Sequence, residues 1–232
     1  MSDGSVAQSR PMTVVVVPAF NEGEAIGPVV AELVAQGYAV VVVDDGSADE
    51  TGSVARSQGA VVLRHPVNRG QGAAIQTGLA YATRSGAAYV ATFDADGQHR
   101  VEDLSALISA LERDGADVAL GSRFLGQAPG IPPGRRVLLK MAVVFTTLTE
   151  GVRLTDAHNG LRVFTRATAE RLRIRQDGME HASEIIGQIR ALRLRHVEVP
   201  VSVRYTEYSR AKGQSSRNAL GILIELAVGK LR

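Results

Sequence analysis

The chain has 232 residues, a length that suits one large domain or one domain with a small appendage. Its 45% hydrophobic and 22% charged content fits a folded core rather than a disordered chain, and a net charge of +2 is too small to imply a nucleic-acid partner. The absence of cysteine excludes disulfides and thiolate metal sites and fits a reducing cytoplasm.

Residues 1–11 are small and polar and are expected to form a mobile tail without a signal peptide. No uninterrupted apolar run approaches the roughly 20 residues of a membrane span. A cytoplasmic protein is expected, at most peripheral on the inner face of the cell membrane. Residues 12–17 are a β-branched run, read as a buried parallel strand, and stop at Pro18-Ala19-Phe20-Asn21-Glu22. Residues 24–36 carry Ile26, Val29, Val30, Leu33 and Val34 at helical spacing, and Gly37 closes that helix. A second strand at 38–43 runs into Asp44-Asp45-Gly46-Ser47, a helix is expected over 49–58, and 61–64 is a third strand. Asn68-Arg69-Gly70-Gln71-Gly72 lacks the glycine spacing of a dinucleotide fingerprint and the Lys-Ser/Thr of a P-loop. It reads as a tight loop into a helix ending near Ala82, whose N-terminus could receive a phosphate.

The next strand, around Ala88 to Phe93, ends abruptly in Asp94-Ala95-Asp96-Gly97-Gln98-His99. Strand geometry sends side chains i and i+2 to the same side, so Asp94 and Asp96 can converge beyond the strand's end, with Gln98 and His99 as further ligands. Hard carboxylate oxygens suit Mg²⁺ or Mn²⁺ shared with substrate phosphates; an acidic turn capping the helix at 101–113 is the plainer alternative. A strand at 117–121 leads into Ser122-Arg123-Phe124. The stretch 127–134, rich in proline and glycine, reads as a loop and a candidate lid, followed by an apolar helix over 137–148. A polar cluster at 155–162 precedes a short strand at Val163 and Phe164, and Glu180-His181-Ala182-Ser183-Glu184 opens a helix to about Leu192. Residues 197–205 alternate as a strand through Pro200, which belongs at a sheet edge. A flexible basic loop over 208–217 and an apolar helix over 218–232 follow.

Strands alternating with helices at this spacing predict an α/β fold with a doubly wound, mainly parallel sheet over residues 12–217. Ligands of such sheets sit beyond the carboxyl ends of the strands. Three of the first four strands end in polar clusters, at Asn21/Glu22, Asp44/Asp45 and Asp94/Asp96, which argues for one active site at that edge.

Taken in order, Pro18 to Glu22, Val43 to Ser47 with Asp49 and Thr51, Asn68-Arg69-Gly70, Asp94 to His99 and Gly121 to Phe124 resemble an inverting family-two glycosyltransferase. The polyprenyl-phosphate mannose and glucose synthases are the most similar branch. The resemblance implies the GT-A fold, a nucleotide-diphosphate sugar donor, a Mg²⁺ or Mn²⁺ ion, and a polyprenyl phosphate or a sugar hydroxyl of a cell-envelope glycan or glycolipid as acceptor. It implies that Pro18, Asn21 and Glu22 line the base and ribose pocket, with Asp45 on the nucleobase beside Asp44 and Ser47. Asp94 would meet ribose or metal-bound water, Asp96 the metal, and Gln98 the rest of the metal shell. Arg123 would face the acceptor loop, with Asp156, Asn159 and Arg162 on the acceptor side. Arg210 and Lys212 would fold over the diphosphate. Asn159 and Leu161 depart from the commoner Ser and Phe, which leaves the acceptor open.

A hydroxyl acceptor would need a general base, for which Glu184 or Glu180 is the candidate. Either could equally be a carboxylate favoured by its helix N-terminus. The alternatives are a sugar-phosphate nucleotidylyltransferase, disfavoured by Pro-Ala-Phe-Asn-Glu after the first strand, and a nucleotide-sugar binding module without activity. The C-terminal apolar helix could pack on the core, pair two subunits as a homodimer, or touch a membrane surface.

Overall fold

The computed structural model describes residues 11–129, 131 and 133–205. The expected N-terminal tail, the basic loop with Arg210 and Lys212, and the C-terminal helix lie outside them, apart from residue 11 of the tail. The elements are β1 (Thr13–Ala19), α1 (Ile26–Ala35), β2 (Ala39–Asp44), α2 (Thr51–Ser57), β3 (Val61–Arg64), α3 (Gln71–Arg84) and β4 (Tyr89–Thr92), followed by α4 (Val101–Arg113), β5 (Val118–Gln127), α5 (Pro133–Glu150), β6 (Arg162–Thr165), α6 (Arg166–Arg171), α7 (His181–Ala191) and β7 (His196–Ser202).

Seven strands form one sheet in the order β3-β2-β1-β4-β6-β5-β7. The first four strands pair in parallel, which needs crossover helices and buries both sheet faces. The valine run of β1 shows this directly: Val15 and Val17 enter one core while Val14 and Val16 enter the other. α3 lies so close to β1 that a Cβ at Gly78 would fall 2.1 Å from a Val16 methyl carbon.

The sheet is mainly parallel, as expected, with one inversion. β6 runs antiparallel between β4 and β5, pairing Arg162 with Thr92 and with Leu120. Because β6 starts where its neighbours end, residues 158–162 reach the same carboxyl edge as Asp94 and Asp96. β7 closes the sheet at its edge, with Pro200 paired to Ser122. β5 continues to Gln127, past the expected stop at Gly121, because its extension also pairs with β7. Helix α6 was not expected; Thr165 caps it by accepting from the Thr168 amide at 3.2 Å.

Candidate active site

The carboxyl edge of the sheet opens into a cleft of about 490 Å³. Its walls include Pro18, Glu22, Asp45, Asp94, Asp96, Gln98, Arg123 and Arg162, residues drawn from chain segments far apart in sequence. Asn21, Asp44 and Ser47 do not line it. Asn21, at φ 53°, donates its amide to Ser47 Oγ at 2.9 Å and accepts from Ala48 N at 2.9 Å, tying the end of β1 to the loop after β2. Asp44 is fully buried; it accepts from Ser47 N at 2.9 Å and faces a separate hollow shared with Arg64.

Asp45 lines the cleft while holding its upper rim. Its carboxylate accepts from Arg69 N at 3.0 Å and Gly70 N at 2.6 Å, and meets His65 Nδ1 at 2.6 Å. The N-terminus of α3 is thereby fixed above the site. Gly72 is required there: a Cβ would fall 2.0 Å from the Gln176 carbonyl oxygen and 2.9 Å from His181 Cβ.

β4 ends at Thr92, so Asp94 and Asp96 lie beyond the strand, and a turn rather than strand alternation brings both into the cleft, where they meet different surroundings. Asp94 contacts His99 Nε2 at 2.9 Å and Gln71 Nε2 at 3.3 Å, and 29% of its side chain remains open. Burial pushes its carboxyl up, but His99, Arg162 and His181 outweigh that and hold it below the usual range. Asp96 is pushed up to about 6 by burial and by the nearby Asp94 charge, with Glu22 adding to the crowding. Two carboxylates that repel in one place fit a divalent cation, which relieves the repulsion. Among the described residues no group of three His, Cys, Asp or Glu is placed to hold a metal. Gln98 turns its amide nitrogen to Asp96 Oδ2 at 2.6 Å and would have to present its oxygen to serve as a ligand.

Positive charge stands across the cleft. Arg123 Nε donates to Asp156 at 2.6 Å, Nη1 to the Tyr205 hydroxyl at 3.1 Å and Nη2 to the His158 carbonyl at 3.0 Å. Burial opposes the Arg123 charge, and Asp156 and Tyr205 more than restore it. Asp156 is thus committed to fixing Arg123, and it is not part of the cleft lining expected of an acceptor contact. Asn159 is likewise buried, its Oδ1 accepting from Leu161 N at 2.9 Å. Arg162 does line the cleft; burial lowers its pKa to about 10 against the pull of Asp94 and Asp156.

Glu184 is placed differently from the expected base. Its carboxylate accepts from the backbone amides of Arg175 at 3.0 Å and Gln176 at 2.9 Å, bracing the segment before α7, and it does not line the cleft. Glu180 does not line it either. Sequence reasoning missed His158, His181 and Arg135, which do. Burial and the Arg162 charge lower both histidines to about 4, leaving them neutral at pH 7. His181 Nδ1 donates to the Gly178 carbonyl at 2.8 Å, so its other nitrogen is the acceptor. The sequence did hold one clue, since His158 lies within the polar cluster before β6.

Known proteins are similar to this chain in sequence and in fold. The Glycosyl transferase family 2 profile matches residues 14–173. A UDP-N-acetylglucosamine–dolichyl-phosphate N-acetylglucosaminyltransferase of Methanococcus voltae is 30% identical over 93% of this chain and 95% of its own. A polyprenol monophosphomannose synthase of Mycolicibacterium smegmatis is 30% identical over 94% of this chain and 88% of its own. In fold, the chain is similar to glucosyl-3-phosphoglycerate synthase from Mycobacterium tuberculosis, solved with phosphoglyceric acid, at TM-score 0.70 and 19% identity over 94% of this chain and 80% of that one. The carboxylate-ended parallel half-sheet, the inverted β6 and the family match lead to one conclusion: the chain belongs to glycosyl transferase family 2 and is a glycosyltransferase of the GT-A fold.

Proposed function

We propose that the protein transfers a sugar from a nucleotide-diphosphate donor to a polyprenyl phosphate, with a divalent metal and inversion at the anomeric carbon. The observation that carries this reading is the pairing, in one cleft, of the crowded carboxylates Asp94 and Asp96 with the guanidinium groups of Arg123 and Arg162. A donor diphosphate needs a cation on one side and hydrogen-bond donors on the other. Asp94 and Asp96, with Gln98 after its amide turns, would hold Mg²⁺ or Mn²⁺, which as a Lewis acid supplies charge neutralisation to the leaving diphosphate. Pro18, Glu22 and Asp45 border the end of the cleft where the base and ribose fit. Arg123, held by Asp156 and Tyr205, presents a guanidinium that does not reorganise as phosphate charge develops.

A phosphate acceptor is favoured over a sugar hydroxyl because the expected bases do not serve. Glu184 is engaged by backbone amides outside the cleft, and His158 and His181, at about 4, are weak bases at neutral pH. A phosphate monoester with a second pKa of about 6 is already ionised and needs no base. The two curated relatives named for lipid-phosphate acceptors support the same choice.

The test is a screen of nucleotide sugars with Mn²⁺, read by mass spectrometry, with a polyprenyl phosphate or a free sugar as acceptor. Transfer to the lipid phosphate alone is the expected result. Transfer only to hydroxyl acceptors would overturn the acceptor assignment.

A further inference from the structure

His181 is too weak a base to take a proton at pH 7, but a weak base still accepts a hydrogen bond. Its Nδ1 lies 2.8 Å from the Gly178 carbonyl oxygen, which can only accept, so Nδ1 carries the proton. Burial and the Arg162 charge keep the ring neutral, which leaves a bare lone pair on Nε2. Nε2 meets no partner among the described residues, yet it is not one of the buried polar atoms sealed from solvent. It therefore opens on the cleft that the residue lines. Backbone fixes the ring there. The Gly178 carbonyl also accepts from His181 N at 3.4 Å, the Asp177 carbonyl accepts from Gly72 N at 2.8 Å, and Glu184 holds the amides of Arg175 and Gln176. α3 closes in beside it, as the 2.9 Å between a Cβ at Gly72 and His181 Cβ shows. A ring so braced presents its lone pair without reorganising.

The lone pair restricts what can sit against it. It accepts from an O–H or N–H and repels phosphate oxygens, which are themselves acceptors. In a nucleotide-sugar donor the donating groups belong to the base, the ribose and the transferred sugar, with the diphosphate between. Base and ribose fit the end of the cleft bordered by Pro18, Glu22 and Asp45. The charges that act most strongly on His181 are those of Arg162 and Asp94, so it stands beside the place of the metal and the diphosphate, where the sugar is joined.

We infer that His181 Nε2 accepts a hydrogen bond from a hydroxyl of the transferred sugar and so helps to select which sugar is moved. This role rests on the donor reading proposed for the cleft and deepens it. A sugar that lacks the hydroxyl, or carries it in the opposite configuration, leaves the lone pair unpaired and binds less well.

The test is calorimetry on the full chain with Mn²⁺, comparing UDP with UDP-glucose and UDP-N-acetylglucosamine, and GDP with GDP-mannose. His181→Phe keeps a ring without an acceptor, and His181→Gln can return an oxygen near the Nε2 position. Both lose the Nδ1 bond to Gly178, so a merely structural role weakens them alike. For the nucleotide that binds, the affinity of its sugar conjugate relative to the nucleoside diphosphate should fall about tenfold in His181→Phe and no more than about threefold in His181→Gln. The nucleoside diphosphate alone should bind both variants as it binds the wild type. On the wild-type chain, deoxy analogues of the sugar nucleotide should reveal one hydroxyl whose removal costs about tenfold, a readout that needs neither variant to fold. An unchanged ratio in His181→Phe, equal loss in both variants, a matching loss of the nucleoside diphosphate, or a wild-type chain indifferent to every deoxy analogue would overturn the inference. If the wild type binds neither UDP nor GDP, the donor reading fails and takes this role with it. Binding with an unaffected ratio leaves that reading standing and removes only the role of His181.

Discussion

The two halves of the sheet build the site by opposite means. In the β1 to β4 half, the parallel strands end together, and the residues after them hold one another by bonds to backbone: Asp45 to the amides of Arg69 and Gly70, Asp44 to Ser47 N, Asn21 to Ala48 N. In the β5 to β7 half the supporting contacts include side chains paired far along the chain, such as Arg123 with Asp156 and Tyr205. The first half contributes carboxylates, the second guanidinium groups and neutral imidazoles. A half braced by several bonds to backbone amides tolerates loss of one partner better than a half braced by the buried Arg123–Asp156 pair, and this difference can be tested.

The largest effect on stability is expected at Asp156. Asp156→Ala would leave the Arg123 guanidinium, 7% exposed, without its counter-ion, and breaking such a pair costs about 3–5 kcal/mol. Denaturant unfolding should show that loss, and adding Arg123→Met should recover much of the stability without restoring activity. If Asp156→Ala unfolds at the wild-type midpoint, the pair does not brace this half.

Gly160→Ala comes next, because it strikes where the halves meet. A Cβ at residue 160 would fall 2.2 Å from the Asp94 carboxylate, so the aspartate must move. Displacement of a positioned group by about 1 Å costs on the order of a hundredfold in rate. Turnover should fall by that order with secondary structure intact; a kcat near wild type would mean that the position of Asp94 is not critical.

Acidity should loosen the metal. Asp96 is pushed up to about 6, so it is ionised above that pH and protonated below it, and a proton competes directly with a cation. Binding should therefore be complete above pH 7 and weaken as pH falls through about 6, by roughly tenfold at pH 5. Calorimetric titration with Mn²⁺ and nucleoside diphosphate across this range gives the midpoint. A midpoint near 4 would show that Asp94 and burial do not perturb Asp96.

The smallest effect is expected at Glu184. Glu184→Gln keeps an oxygen for the amides of Arg175 and Gln176, so stability should change by about 1 kcal/mol and kcat little. A drop of a hundredfold or more, with loss of the basic limb's pKa from the rate profile, would restore Glu184 as a base.

The same contrast explains what could be read from the sequence. Strand ends in the first half were legible because β-branched runs such as Val14 to Val17 mark buried parallel strands that stop at polar clusters, although Asp94 and Asp96 lie on the turn after β4 and not on the strand itself. The inversion of β6 was not legible, since a four-residue strand carries no sign of its direction. Nor was the Asp156–Arg123 pair, 33 residues apart, whose meeting depends on that inversion. Arg162 was placed on the acceptor side only through the family resemblance. Glu184 stood at a helix start with the chemistry of a base, and sequence could not show that two backbone amides had claimed it. Helix α6 was missed because six residues carry little periodicity, although Thr165 and Thr168 form a capping pattern that marks its start.

The central claim, that Asp94 and Asp96 hold a divalent cation for a nucleotide-diphosphate donor, is tested most directly by calorimetry of UDP and GDP on the wild-type chain and on Asp96→Asn, with Mn²⁺ or with chelator. Metal-dependent binding of one nucleotide to the wild type, lost in Asp96→Asn at unchanged melting temperature, is the predicted result. Equal affinity with metal and chelator, or equal affinity in the variant, would contradict the claim.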